Sequence, residues 1–172
     1  MNLLPQTYLL GLVGLLAIVA VVVGRQFFLV RRDEARLIEL EKSDTASSRQ
    51  ASDLYELGSV QLRKRLYPQA AATLKQALKR LSGEPDEARA LIENALGFAL
   101  AAQKDYSGAT KHYKLALKAK ADYPVALNNL AFAQEKLMND AEAISLYEQT
   151  LSIEPGNATA KKGLKKLKRR MN

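Results

Sequence analysis

The chain has 172 residues, with 26 Lys/Arg against 18 Asp/Glu and a formal net charge of +8. It contains no cysteine, no tryptophan and one histidine, His112, which excludes disulfides, thiolate nucleophiles and multi-histidine metal sites. Alanine and leucine dominate and favour helix, and no segment alternates as a strand does, so the expected fold is all-α.

The first 24 residues carry no charged side chain. Leu3 to Gly24 would span about 33 Å as a helix, enough for a hydrocarbon core of about 30 Å. A cleaved secretory signal would need a positive start and a shorter apolar core, and MNLLPQT holds no Lys or Arg. Residues 1–30 are therefore expected to form an uncleaved transmembrane anchor. Arg25, Arg31, Arg32 and Arg36 follow the apolar run. By the positive-inside rule the C-terminal part faces the cytoplasm or stroma, and the N-terminus lies outside. Residues 31–50 read as a polar linker. The first half is able to continue the helix, while SDTASSRQASD is Ser-rich and has no apolar face.

From residue 51 the chain repeats itself. Gly58, Gly97 and Ala131 correspond, each preceded by a leucine, as do Ala70, Ala109 and Ala143, and then Leu74, Tyr113 and Tyr147. The same two offsets recur at every one of these positions. The pattern resembles the tetratricopeptide repeat, W-x2-L-G-x2-Y, then A-x3-F, then P. Leu54 and Leu127 take the tryptophan place and Pro155 the closing proline, whereas Glu93 stands where an aromatic is usual and Ala131 replaces the glycine. The turn around SGEPDE is longer than its counterpart. Residues 51–156 are thus expected to form three repeats of paired helices. Small residues at the Gly and Ala places let the two helices of a pair approach closely, and the aromatic fills the groove beside them. A helix pair cannot bury its apolar face alone, so the stack needs a cap. In residues 157–172, Ala160, Leu164, Leu167 and Met171 form the narrow apolar stripe of such a capping helix.

Positive and negative charges balance between Ala51 and Gly156, and the excess sits at Arg25 and on the seven Lys/Arg from Lys161 to Arg170. The simplest expectation is a solvated outer face of the cap. Contact with anionic lipid or an acidic partner is the alternative. Nucleic acid is not expected, because no aromatics interleave for stacking.

No catalytic constellation appears, and neither a metal site nor a cofactor is expected. His112 lies among lysines without an evident orienting carboxylate and is expected at the surface. The chain therefore reads as a binding module and not an enzyme. Asn94 and Asn128, and Phe98 and Phe132, share the repeat period. Both pairs are expected to line the inner groove of the stack, with amides for a peptide backbone and phenylalanines for apolar contact. Tyr55, Ser59 and Arg63 are the matching positions of repeat one, so Tyr55 and Arg63 join the candidate partner-binding set. The best-known ligand mode of this repeat family is a Lys/Arg/Asn clamp for a chaperone's C-terminal carboxylate. Its places here hold Tyr55, Ser59, Ala95, Val125 and Asn129, without the basic residues. A neutral or hydrophobic segment fits better.

The full order of anchor, linker and three repeats, with LYELGSVQLRKRLYPQAA and ALNNLAFAQEKL, is similar to a photosystem I assembly family of cyanobacteria and plastids. That family was first named hypothetical chloroplast reading frame thirty-seven. The resemblance implies a single-pass thylakoid scaffold on the stromal or cytoplasmic side that binds photosystem I subunits or assembly intermediates. The competing expectation is a general bacterial membrane-tethered adaptor for another envelope or membrane complex.

Overall fold

The computed structural model describes residues 4–42, 50–83 and 85–171. These form eight α-helices, and no strand occurs among the described residues. The chain divides into two compact units, Met1–Ser43 and Asp44–Asn172.

The first unit is one helix, α1, Leu4–Lys42 (39 residues). Its stretch Tyr8–Phe28 has a mean hydropathy of 2.3 and is the one described helix long and apolar enough to cross a membrane. This window lies a few residues later than Leu3–Gly24, because the apolar pair Phe27 and Phe28 follows Arg25. Large apolar side chains from Tyr8 to Phe28 are exposed all round the helix. Such a helix has no single apolar stripe of the kind that packs on a soluble core. The helix runs on through RRDEARLIELEK to Lys42, so the first half of the expected linker is helical. The rest of it, residues 43–49, lies outside the described residues.

The second unit contains three helix pairs and a closing helix. The pairs are α2 (Ala51–Arg63) with α3 (Tyr67–Arg80), α4 (Asp86–Ala102) with α5 (Tyr106–Ala119), and α6 (Pro124–Lys136) with α7 (Asp140–Ile153); α8 (Ala158–Met171) closes the stack. Their starts are set locally. Asp105 caps α5 by accepting from the Gly108 N–H at 2.8 Å, and Pro124 opens α6 with its φ already helical. Asn157 Oδ1 accepts from the Ala160 N–H at 3.0 Å and so caps α8.

Within each pair the turn is made by a residue in the left-handed region, Arg65 (φ 60°), Lys104 (φ 67°) and Met138 (φ 63°). None of the three is a glycine, so each pays a conformational cost of about 1–2 kcal/mol.

The core follows the repeat. Leu54, Leu74 and Leu96 centre one buried cluster, and Tyr113, Leu130, Tyr147 and Leu167 centre a second. Gly58 and Gly97 are small because the partner helix is against them. A Cβ on Gly58 would lie 2.7 Å from Leu74 Cγ, and one on Gly97 2.6 Å from the Tyr113 ring. Gly163 of α8 meets the Tyr147 ring in the same way. Ala160 and Leu167 are fully buried and Leu164 packs against the same cluster, so three members of the expected cap stripe cover repeat three. Met171 lies outside the described side chains.

Candidate functional site

Helices α4 and α6 carry Phe98 and Phe132 to one place. Both rings are nearly half exposed, at 45% and 44%, which is unusual for a phenylalanine in a packed helical stack. They line a cleft of about 220 Å³ together with Ala101, Ala102, Tyr106, Tyr113 and Asn129. Tyr106, at the start of α5, meets Phe132 edge to face with centroids 6.3 Å apart. Lys136, one turn along α6, holds its ammonium 5.2 Å from the Phe132 centroid. The cleft is therefore an aromatic slot with a cation at its rim. Tyr113 forms its buried floor, and burial pushes the hydroxyl of Tyr113 well above its ordinary pKa.

Beside the cleft runs a chain of amides and phenols. Asn129 donates to Asn94 Oδ1 at 3.0 Å, and Asn94 donates to the Tyr123 hydroxyl at 3.4 Å. Burial, then proximity to Tyr55, raises the Tyr123 pKa, while the Asn94 bond opposes them. Tyr123, Asn94 and Asn129 thus join repeats two and three. Tyr55 also lines an apolar cleft of about 150 Å³ with Ala51, Leu81, Leu91 and Ile92.

Of the six expected site residues, Tyr55 lines the other cleft, Phe98 and Phe132 share this one, and Asn94 borders it through Asn129. Asn128 does not. It is only 8% exposed and donates to Asn157 Oδ1 at 3.1 Å, so it ties α6 to the cap. Its partner lies as far ahead in sequence as Tyr123 lies ahead of Asn94 (29 residues in each case). The two asparagines therefore both link a repeat to the residue that precedes the helix following that repeat. Arg63 is exposed near the end of α2 and lines neither cleft. Tyr106, Tyr123 and Lys136 were not singled out in the sequence. Tyr106 opens a second helix and Tyr123 precedes Pro124, so neither falls on the first-helix positions used to find the groove.

The expectation for His112 needs correcting. Its Nδ1 lies 2.7 Å from Glu93 Oε2, and the Glu93 side chain is 6% exposed. Glu93 occupies the place of the usual aromatic, and packing of α4 on α5 supplies the carboxylate that no spacing along one helix revealed. The seven cations of the cap are all exposed, as a solvated face requires, and three of them also make ion pairs. Lys166, Lys168 and Arg170 pair with Glu135, Glu148 and Asp140 of repeat three. Among the described residues no cluster of His, Asp and Glu suited to a metal ion occurs.

No family model matches the chain. A chloroplastic tetratricopeptide repeat domain-containing protein of Arabidopsis thaliana, PYG7, is 32% identical over 155 residues, which cover 90% of this chain and 51% of that protein. The chain thus spans about half the length of this relative. An uncharacterized protein ycf37 of Guillardia theta is 30% identical over 158 residues, covering 92% of this chain and 89% of the relative. The ycf37 protein of Cyanophora paradoxa is 35% identical over 112 residues, 65% of this chain and 64% of the relative. Among solved structures, the APC/C hetero-tetramer Cut9–Hcn1 superposes with a TM-score of 0.74 at 20% identity, over 84% of this chain and 28% of that one. The first tetratricopeptide domain of Spaghetti (RPAP3), bound to the HSP90 peptide SRMEEVD, gives 0.66 at 22% identity, over 71% and 93%. The structures agree on the repeat fold. With the near full-length match to the Guillardia protein, the chain belongs to the Ycf37 family of tetratricopeptide-repeat proteins.

Proposed function

We propose that this protein is a membrane-anchored scaffold that uses the Phe98–Phe132 cleft to hold a protein segment and so promotes assembly or stability of photosystem I. Photosystem I enters through the resemblance of the whole chain to an assembly family, and a chloroplastic relative fits that setting. The anchor is the Tyr8–Phe28 stretch of α1. Arg31 and Arg32 just beyond it favour a single pass with the repeats on the stromal or cytoplasmic side of the thylakoid membrane.

The observation that carries the reading is the pair of half-exposed phenylalanines in one apolar cleft, edged by Tyr106 and Asn129. Exposed aromatics in a rigid slot are the typical anchors of protein interfaces. The RPAP3 domain is bound to the HSP90 peptide SRMEEVD, which carries three acidic residues. Here the corresponding places, Tyr55, Ser59, Ala95, Val125 and Asn129, lack the Lys and Arg that would clamp a terminal carboxylate. An apolar segment suits this cleft better. Asn129 and Asn94 supply amides beside it for the segment's backbone.

The test is Phe98→Ala combined with Phe132→Ala, followed by co-isolation of photosystem I subunits with the tagged protein from solubilised membranes. Losing an aromatic anchor costs about 2 kcal/mol, roughly thirtyfold in affinity. Helical content should stay near normal, because both rings face the cleft. Leu74→Ala, at a fully buried position, should instead lower stability by about 2–5 kcal/mol. Normal photosystem I assembly in the double variant, or unfolding like the Leu74 control, would sink the proposal. Release of the full-length protein by alkaline carbonate would sink the anchor.

A further inference from the structure

The cations of α8 divide by what they meet. Lys166, Lys168 and Arg170 reach down to carboxylates of repeat three. Among the described residues, Lys161, Lys162, Lys165 and Arg169 have no ion-pair partner. A helix turns about 100° per residue, which puts Lys162, Lys165 and Arg169 on the pole opposite buried Ala160, Gly163 and Leu167. The paired cations flank that pole. From Pro155 to Asn172 there is no Asp or Glu, so nothing on the helix offsets the stripe. Its larger apolar side chains among the described ones, Leu164 and Leu167, are committed to repeat three. The pole has charge to offer and little to insert.

We propose that this stripe rests on the anionic lipid headgroups of the membrane that holds α1. The proposal depends on the anchoring described above. Three exposed cations at an anionic surface favour contact by about 100-fold in all. That is too weak to gather a partner from dilute solution. Within one chain it suffices, because a short tether supplies a millimolar effective concentration. Past Phe28 α1 runs on to Lys42, about 21 Å as a helix, and the chain from Lys42 to Ala51 reaches at most about 30 Å, so the repeat unit starts within about 50 Å of any membrane that α1 spans. A headgroup surface is thus an anion tethered to the same chain as α8, whereas an acidic protein segment must arrive from solution. Docking through lipid charge alone makes the contact reversible and sensitive to salt.

The absence of native cysteine permits a single label. Thr159→Cys, at an exposed position of α8, carries a donor fluorophore, and the full-length protein is reconstituted into vesicles with an acceptor on a trace headgroup. Vesicles are phosphatidylcholine alone, or phosphatidylcholine with phosphatidylglycerol as one part in three. Flotation with the neutral vesicles reads the anchor independently of the stripe. Energy transfer should be stronger with phosphatidylglycerol. It should fall to the neutral level at about 0.5 M salt, where the Debye length is roughly 4 Å. The variant Lys162→Gln/Lys165→Gln/Arg169→Gln should show the neutral level throughout while keeping the helical signal. Protein that floats yet transfers equally in both vesicles would overturn the lipid contact and leave the anchor standing. Protein that fails to float would overturn the anchor and this inference together. A fluorescence change on adding a polyglutamate peptide, with none on adding phosphatidylglycerol, would overturn the lipid in favour of an acidic protein segment.

Discussion

Lys166→Met keeps the aliphatic stem of the side chain and removes the ammonium that meets Glu135. The Glu135 side chain is 6% exposed, while Lys166 is 62% exposed. Removing one partner of a buried pair costs about 3–5 kcal/mol, and an exposed pair contributes about 0.2–1 kcal/mol. One carboxylate buried and one ammonium in water place this pair between those limits. A loss of about 2 kcal/mol follows, or roughly 8 °C in Tm for a unit of this size. Urea unfolding monitored by circular dichroism, on full-length protein in detergent, measures it. Lys162→Met, on the unpaired pole, is the matched control and should change stability by less than about 0.5 kcal/mol. Adding Glu135→Gln to Lys166→Met should restore about 1 kcal/mol, because a neutral amide is less costly to leave buried than a carboxylate. If Lys166→Met and Lys162→Met behave alike, the Glu135 charge is balanced without Lys166. If Glu135→Gln fails to rescue, the loss does not come from the stranded carboxylate and the electrostatic account is wrong.

Met138→Gly should stabilise the fold by about 1 kcal/mol, because glycine accepts the left-handed turn that methionine occupies at a cost; a drop in the urea midpoint would refute it. Burial and then the neighbouring Glu135 push the Tyr147 pKa up to about 12. A folded pKa above the ordinary value of about 10 means that this contribution to stability is whole below pH 10 and declines as pH rises toward 12. Unfolding free energies across that range should fall more steeply for the parent than for Tyr147→Phe, and equal slopes would refute the assignment.

Much of the fold was legible because its determinants are spacings along one chain. Gly58 with Leu74 and Gly97 with Tyr113 recur at one interval, and the close approaches at Leu74 and Tyr113 show why each position is small. The Ala160, Leu164 and Leu167 stripe announced a cap from its period alone, and α8 seats it on repeat three. The phenylalanine pair was found the same way, since equal places in successive repeats face the same direction. The left-handed turns were missed because Arg65, Lys104 and Met138 carry no glycine or asparagine to mark them.

The sequence by itself determined the all-helical repeat, its period, the apolar N-terminal stretch and the surplus of charge on the last helix, for all of these depend on residue type and interval. Only the tertiary structure decided which polar groups meet. Asn94 and Asn128 look equivalent in the chain, yet one borders the aromatic cleft through Asn129 and the other is spent on Asn157. His112 finds Glu93 across two helices, and among the described residues three of the seven cations of α8 find ion-pair partners while four do not. Those outcomes turn on the rotation and offset of one helix against the next. A few degrees or a single residue of register there changes a hydrogen-bond partner, while the period within each helix stays the same.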